Sequence, residues 1–326
     1  MLRIYKLSAG TNSEIVDVSD LEVALKQPDA EAIWIDLLDP NPALIQEIEK
    51  TLSVDIPTRE EVRLREFSNR FYREDGWTVF TFSLLAQADS KPELTPVTFL
   101  FGTKFLLTLR YRELMAFKSF HIRLPQGLTT LHRPEVYVFG LFDEISERLS
   151  DLSEQLDSHL EEISQKIFSE PPRGIESSRP DLNAALRELG TASDLCSKIR
   201  ESLASLQYSI PWLRKMYFET SEREEVTRLE HDFHAIAQHA DFIVNKLTFL
   251  LDATLGFINL EQNNTIKIFS VLAVIFLPPT LIASIYGMNF RHMPELESSF
   301  GYPLALITML FAAILPYWFF KKRGWL

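Results

Sequence analysis

Two runs of this chain carry no charge, residues 268–285 and residues 302–320, eighteen and nineteen long. Nothing else in the sequence restricts the fold so tightly. At about 1.5 Å of rise per residue, a helix over either run spans close to the roughly 30 Å hydrocarbon core of a bilayer. The sequence therefore predicts two transmembrane helices, at about 266–286 and about 302–320, joined by an external loop at 287–301. The competing reading is a pair of helices buried in a soluble core. Spanning length reached twice, with the second run closing on aromatics and then Lys321-Lys322-Arg323, favours the membrane.

Charge divides the chain in the same way. Residues 1–265 carry a net −15 and residues 266–326 a net +3, within a total of −12. An acidic body argues against binding nucleic-acid phosphates and makes cations its natural small counter-ions. The single cysteine, Cys196, excludes an intramolecular disulfide and a Cys-based zinc site. Lys267 precedes the first run and three cations follow the second, while the loop has one Arg against two Glu; the positive-inside rule places both termini in the cytoplasm. The opening MLRIYKLSAG lacks the apolar core of a secretory signal, so insertion is expected to use the late hairpin itself.

Before about residue 110, runs rich in β-branched and aromatic residues at 2–7, 32–37, 77–85, 96–101 and 104–110 predict strands, and 20–26, 42–52 and 59–65 have helical spacing. Phe101-Gly102-Thr103-Lys104 reads as a hairpin turn in which Gly102 takes a positive φ. Beyond about residue 133 long helices take over. Residues 135–168 repeat apolar side chains at steps of three and four, and Pro171-Pro172 with Gly174 ends that helix. Further helices are predicted at about 181–206 and from 222 to about 286, the last running directly into the first span. A helix of that length is on the order of 90 Å long, and its narrow apolar stripe calls for parallel partners, implying oligomerisation about a helical axis. Pro278-Pro279 should loosen its membrane half and free backbone carbonyls. The predicted fold class is an α+β membrane protein in three parts: an α/β cytoplasmic domain at 1–132, long stalk helices at 133–265, and a transmembrane hairpin with a basic tail at 266–326.

The first span closes on Tyr286-Gly287-Met288-Asn289-Phe290, and the loop continues Met293-Pro294-Glu295-Leu296. Together with Leu251-Asp252-Ala253, Glu261-Gln262-Asn263, Phe276-Leu277-Pro278-Pro279-Thr280 and the terminal Phe320-Lys321-Lys322, these residues resemble the proteobacterial branch of the CorA family of magnesium and cobalt transport proteins. The likeness is specific over the last stretch, 251–326, and one of layout before it. It implies a funnel-shaped homopentamer in the bacterial inner membrane, with a central pore lined by the first membrane helix. The activity it implies is passive Mg2+ uptake, with Co2+ and Ni2+ also carried, driven by membrane potential and gated by cytoplasmic regulatory Mg2+. A divalent ion entering a negative-inside cell gains about 4.6 kcal/mol per 100 mV, so no chemical fuel is required. Consistently, the sequence has no Gly-Lys-Ser/Thr phosphate loop, and neither an enzyme activity nor a cofactor is expected.

By the same resemblance, Gly287, Met288 and Asn289 form the selectivity filter. Magnesium sheds water reluctantly, and one Asn289 amide oxygen per subunit would hydrogen-bond a hydrated ion without the trapping that a ring of carboxylates causes. An ordinary helix C-cap is the plain alternative for Asn289. Helical steps inward give Ser284, Thr280, Leu277, Ala273, Ser270, Ile266, Asn263 and Asp252 as pore-lining residues, and the resemblance adds Phe269. Thr280 and Leu277 would line mid-pore, Ile266 and Phe269 a hydrophobic constriction, Asn263 a polar site below it, and Asp252 the cytoplasmic exit. Leu277 and Ile266 are expected to close the pore by dewetting, unless they face lipid. Met293, Pro294, Glu295 and Leu296 form the external loop.

Arg291 departs from the family, which usually has an acidic residue just after Gly-Met-Asn-Phe. No motif fixes the cytoplasmic magnesium sensor; Glu230, Asp232 and Asp241 are the candidates. His231, His234 and His239 read as a solvated helix face rather than a zinc site, and His121, His132, His159 and His292 show no recognisable spacing. Two other functions compete: a Zn2+ transporter of the related ZntB type, and a membrane-anchored helical scaffold that conducts nothing. Intact Met288 and Met293-Pro294-Glu295-Leu296 oppose the first. Asn263, Ser270, Thr280 and Ser284 on one stripe oppose the second, because polar groups are costly in lipid.

Overall fold

The computed structural model describes residues 1–8, 15–16, 30–64, 70–88, 91–124, 135–169, 181–216, 223–288 and 300–323. They form two compact units, Met1–Leu250 and Leu251–Leu326. In the first, β1 (Leu2–Ser8), β2 (Ile15–Val16), β3 (Ala30–Leu38), β4 (Phe71–Glu74), β5 (Trp77–Ala88), β6 (Lys91–Phe101) and β7 (Phe105–Arg110) make one sheet in the order β2-β1-β3-β7-β6-β5-β4. Every neighbouring pair is antiparallel except β3 and β7, which run parallel with Ile33 opposite Phe105 and Leu38 opposite Arg110. The five expected strands are present. The short β2 and β4 were not expected, and the helix expected at 20–26 lies outside the described residues. Asp75-Gly76 joins β4 to β5 with both residues at positive φ, 47° and 86°, the two-residue turn that matches strand twist.

Gly102 does turn β6 into β7, its N–H donating to Phe105 O at 2.9 Å, but its φ is not positive. This corrects the sequence expectation. The demand for glycine is steric: a Cβ there would lie 2.8 Å from Cη2 of the Trp77 indole.

Alternation along the strands sorts the two faces. Ile4, Ile33, Ile35, Leu37, Val79 and Leu107 face one side, where Ile48 of α1 (Pro42–Leu52) covers them. Asn41 caps α1 by accepting from Leu44 N–H at 2.8 Å, and Pro42, which has no N–H to leave unpaired, suits the first turn. After α2 (Arg59–Leu64), the opposite face is aromatic and polar. Trp34, Phe82 and Phe99 meet Phe117 and Phe120 of α3 (Met115–Arg123) and Phe142 of α4 (Glu135–Phe168). Buried among them, Asp36 accepts from Arg110 Nε at 3.1 Å and Nη2 at 2.8 Å and from Thr108 Oγ1 at 2.8 Å, and His121 Nε2 lies 3.2 Å away. Burial opposes ionisation of Asp36, but the bonds from His121 and Arg110 and the guanidinium charge outweigh it, holding the carboxyl down at about 2. Neither α3 nor α6 (Ile210–Met216) was expected from the sequence.

The long helices α4, α5 (Leu182–Gln207) and α7 (Arg223–Tyr286) match the expected spans. Asp181 starts α5 by accepting from Asn183 and Ala184 N–H. Buried Val226, Leu229, Phe233, Ile236, Ala240, Ile243, Leu247 and Leu250 step along α7 by threes and fours. The apolar partners of that stripe belong to the same chain. Cys196 of α5 reaches Ala240, and Gln207 reaches Phe233, so α5 and α7 are antiparallel. Arg228 meets Asp143 and Lys246 meets Asp157, so α4 and α7 are parallel.

In the second unit, the membrane half of α7 and α8 (Gly301–Lys322) are both long and apolar enough to cross a membrane. Only 6% of each apolar window is buried, the opposite of a core helix in a soluble protein.

Candidate ion pathway

Within unit Leu251–Leu326, α7 has two contrasting sides. Val271 is buried, and Lys267, Ile275, Pro278, Ile282 and Tyr286 are partly sheltered; these recur at helical spacing on one side. On α8 the sheltered positions are mostly small, among them Gly301, Ala305, Ala312 and Ala313, the side-chain size that lets membrane helices approach. The nine residues expected to line a pore, Asp252, Asn263, Ile266, Phe269, Ser270, Ala273, Leu277, Thr280 and Ser284, are all exposed; at about 100° per residue, Ile266, Phe269, Ala273, Leu277, Thr280 and Ser284 lie on the side of α7 away from Val271, and Asp252, Asn263 and Ser270 lie on its flank. The three large ones are 62%, 68% and 67% exposed at Ile266, Phe269 and Leu277.

Two polar members of this stripe, Ser270 and Thr280, share an arrangement. Thr280 Oγ1 donates to Phe276 O at 2.7 Å and Ser270 Oγ donates to Ile266 O at 2.8 Å. Each hydroxyl has committed its proton to the helix, which leaves oxygen lone pairs outward as acceptors. Acceptors without outward protons suit the water shell of a cation, whose waters present hydrogens.

At the far end, Gly287 N–H donates to Ala283 O at 2.9 Å and Met288 N–H to Ile285 O at 3.2 Å, so the helix tightens as it closes. Gly287 does not have a positive φ; a Cβ there would press on Ala283 O at 3.3 Å. Asn289, Arg291, Met293, Pro294, Glu295 and Leu296 lie outside the described residues.

The sensor candidates are not gathered into one place. Each stands beside a different arginine: Glu230 with Arg214, Asp232 with Arg228 at 3.3 Å, and Asp241 with Arg200 at 3.3 Å. Among the described residues no three Asp, Glu, His or Cys side chains are placed to hold a metal ion. His231 is exposed, His234 bonds Gln238 and His239 stacks on Phe242.

Sequence spacing missed the ionic hub at Arg228. It donates to both oxygens of Asp143, at 2.8 and 2.9 Å, and to Glu225, beside a cavity of about 500 Å³ also lined by Glu147, Asp151 and Asp232. Burial pushes the Asp143 carboxyl above its usual range, against the pull of Arg228. The four-residue steps Asp143, Glu147, Asp151 were the available signal for an acidic face on α4, but not for its partner 85 residues away.

A sheet-and-helix unit, joined in sequence to two exposed spans of which the first carries polar side chains off its sheltered side, defines a membrane protein of the transporter class. The chain belongs to the CorA family: the profile for "CorA-like Mg2+ transporter protein" matches residues 29–322. It is 36% identical to the magnesium transport protein CorA of Escherichia coli K12 over 308 residues, 94% of this chain and 96% of the relative. The complete CorA magnesium transporter of Methanocaldococcus jannaschii matches at a TM-score of 0.78 and 18% identity, over 100% of this chain and 99% of that one. The ZntB cytoplasmic domain from Vibrio parahaemolyticus matches at 0.50 and 14% identity, over 81% of this chain and 97% of its own. The two solved structures bear on the fold alone.

Proposed function

We propose that the chain is a Mg2+ channel, assembled as a homopentamer around α7, that admits the ion passively down a negative-inside potential with both termini in the cytoplasm. The observation that carries this reading is the sidedness of α7 in its membrane half. Ser270, Thr280 and Ser284 lie off its sheltered side, and polar groups turned to lipid cost free energy that a water-filled path or a partner helix removes. Five copies that turn Asn263, Ser270, Thr280 and Ser284 inward would remove that cost and create a water-filled path. Asn289 amide oxygens would select the hydrated ion at the outer mouth, and Leu277, Ile266 and Phe269 would form the dewetting barrier. Co2+ and Ni2+ would pass by the same recognition of a six-water shell. Cytoplasmic Mg2+ would close the pore by binding carboxylates between subunits; at Glu230, Asp232 or Asp241 it must displace an arginine.

The test is Mg2+ uptake into proteoliposomes with an imposed negative-inside potential. Native protein should take up Mg2+ in proportion to the potential and be blocked by hexaammine cobalt, an exchange-inert mimic of the hydrated ion. Asn289→Ala should reduce uptake at least about tenfold, the scale of losing one selective polar ring. Zinc uptake without magnesium uptake would establish the ZntB-type reading instead, and uptake of neither would leave a scaffold.

A further inference from the structure

The C-terminal end of α8 carries three consecutive cations, each lying against an aromatic ring one turn back. Lys321 Nζ is 5.9 Å from the Tyr317 ring centroid, Lys322 Nζ 5.1 Å from Trp318, and Arg323 Cζ 5.0 Å from Phe319. All are within cation–π range. Successive helical residues are turned by about 100°, so the three pairs are distributed around the helix end at one depth. No acidic residue occurs in α8, and among the described residues none of the three cations is paired with a carboxylate. The described acidic side chains of this unit, Asp252 and Glu261, both belong to α7.

We propose that this end of α8 is a binding site for the phosphate of anionic phospholipid headgroups. A lysine ammonium seated on a ring face still has N–H donors directed away from the ring, and the Arg323 fork matches two phosphate oxygens. Tyr317 and Trp318 place the donors where such aromatics sit in membranes, at headgroup level. The helix C-terminus adds partial negative charge that holds the cations in place. A zwitterionic lipid carries its own cation beside its phosphate, so the uncompensated charge of the cluster favours an anionic one. Membrane orientation needs only a count of basic residues; three cations seated on three rings at one depth make a site that discriminates among lipids.

The experiment uses the purified full chain in mixed micelles, where orientation across a bilayer does not arise. Tryptophan fluorescence is quenched with dibrominated phosphatidylglycerol or dibrominated phosphatidylcholine. Trp34, Trp77 and Trp212 belong to the soluble unit, so quenching by lipid reports Trp318 and, two residues beyond the basic run, Trp325. In about 0.1 M salt, half-quenching should need roughly fivefold less phosphatidylglycerol than phosphatidylcholine, with the difference shrinking near 1 M as screening shortens to about 3 Å. Lys321→Gln, Lys322→Gln and Arg323→Gln together should abolish the preference, and Lys321→Arg with Lys322→Arg should retain it. Equal half-quenching by the two lipids in the native protein, or a preference unchanged in the triple Gln variant, would overturn the proposal. So would relief of quenching by inorganic phosphate beyond that of chloride at equal ionic strength, which would assign the cluster to a free anion.

Discussion

Asp36 joins β3, β7 and α3 through one carboxylate, and it is only 1% exposed, as is its partner Arg110. Replacing it with Asn removes the countercharge of a buried guanidinium, a loss of about 3–5 kcal/mol. Asp36→Asn should therefore lower the Tm of the soluble unit by on the order of 10 °C, read by circular dichroism on the full chain in detergent. The pH dependence has a definite sign. The folded value of about 2 lies below the ordinary 3.8, so the stabilisation is complete above about pH 4 and disappears as pH falls through 2. Acid titration should show that loss in the native protein and a shallower one in Asp36→Asn. Gly102 makes a second residue-scale test. Gly102→Ala puts a methyl into the Trp77 ring and should cost about 1–3 kcal/mol; an unchanged Tm would show that the indole has room to move. Composition pointed to glycine as a turn residue here, but the reason it is needed is a contact with a ring 25 positions earlier, beyond the reach of any turn rule.

The long helices were legible because their buried positions repeat every three or four residues for many turns. Glu135–Phe168 is where its periodicity put it, and Asp181 marks the start of α5 by a capping side chain visible in the sequence. Short elements carry too few repeats for that. Met115–Arg123 and Ile210–Met216 are helical because a sheet face takes their aromatic side chains, Phe117, Phe120 and Trp212 among them. On α7, the narrow apolar stripe implied other copies as its cover, but from Val226 to Leu250 the cover is α4 and α5 of the same chain, which the periodicity of α7 does not record. The exposed stripe of the membrane half is the part on which the proposed function rests. Leu277→Asn should raise resting Mg2+ flux several-fold in the presence of cytoplasmic Mg2+, because a polar ring stays wet. Fluorescent Mg2+ indicators trapped in vesicles give the measurement, and unchanged flux would place Leu277 against lipid.

At the scale of the whole molecule, the distribution of charge separates an acidic body from a basic membrane end. Arg291 adds positive charge to the loop that follows the expected filter, where it should repel entering cations over about a Debye length. Arg291→Glu should therefore raise uptake about two- to fivefold at low external Mg2+ and low ionic strength, with the gain vanishing in high salt. Equal uptake under both conditions would mean that this side chain is remote from the ion path. By itself, the sequence determined the two spans, the long helices and the family, since each is encoded in local periodicity, charge-free length or a contiguous motif. Tertiary structure alone decided the order β2-β1-β3-β7-β6-β5-β4, the joining of Asp36 to an arginine 74 residues away, and the seating of Arg228 among carboxylates of another helix. Those pairings depend on which surfaces meet once the chain has collapsed, and no spacing along the chain records them.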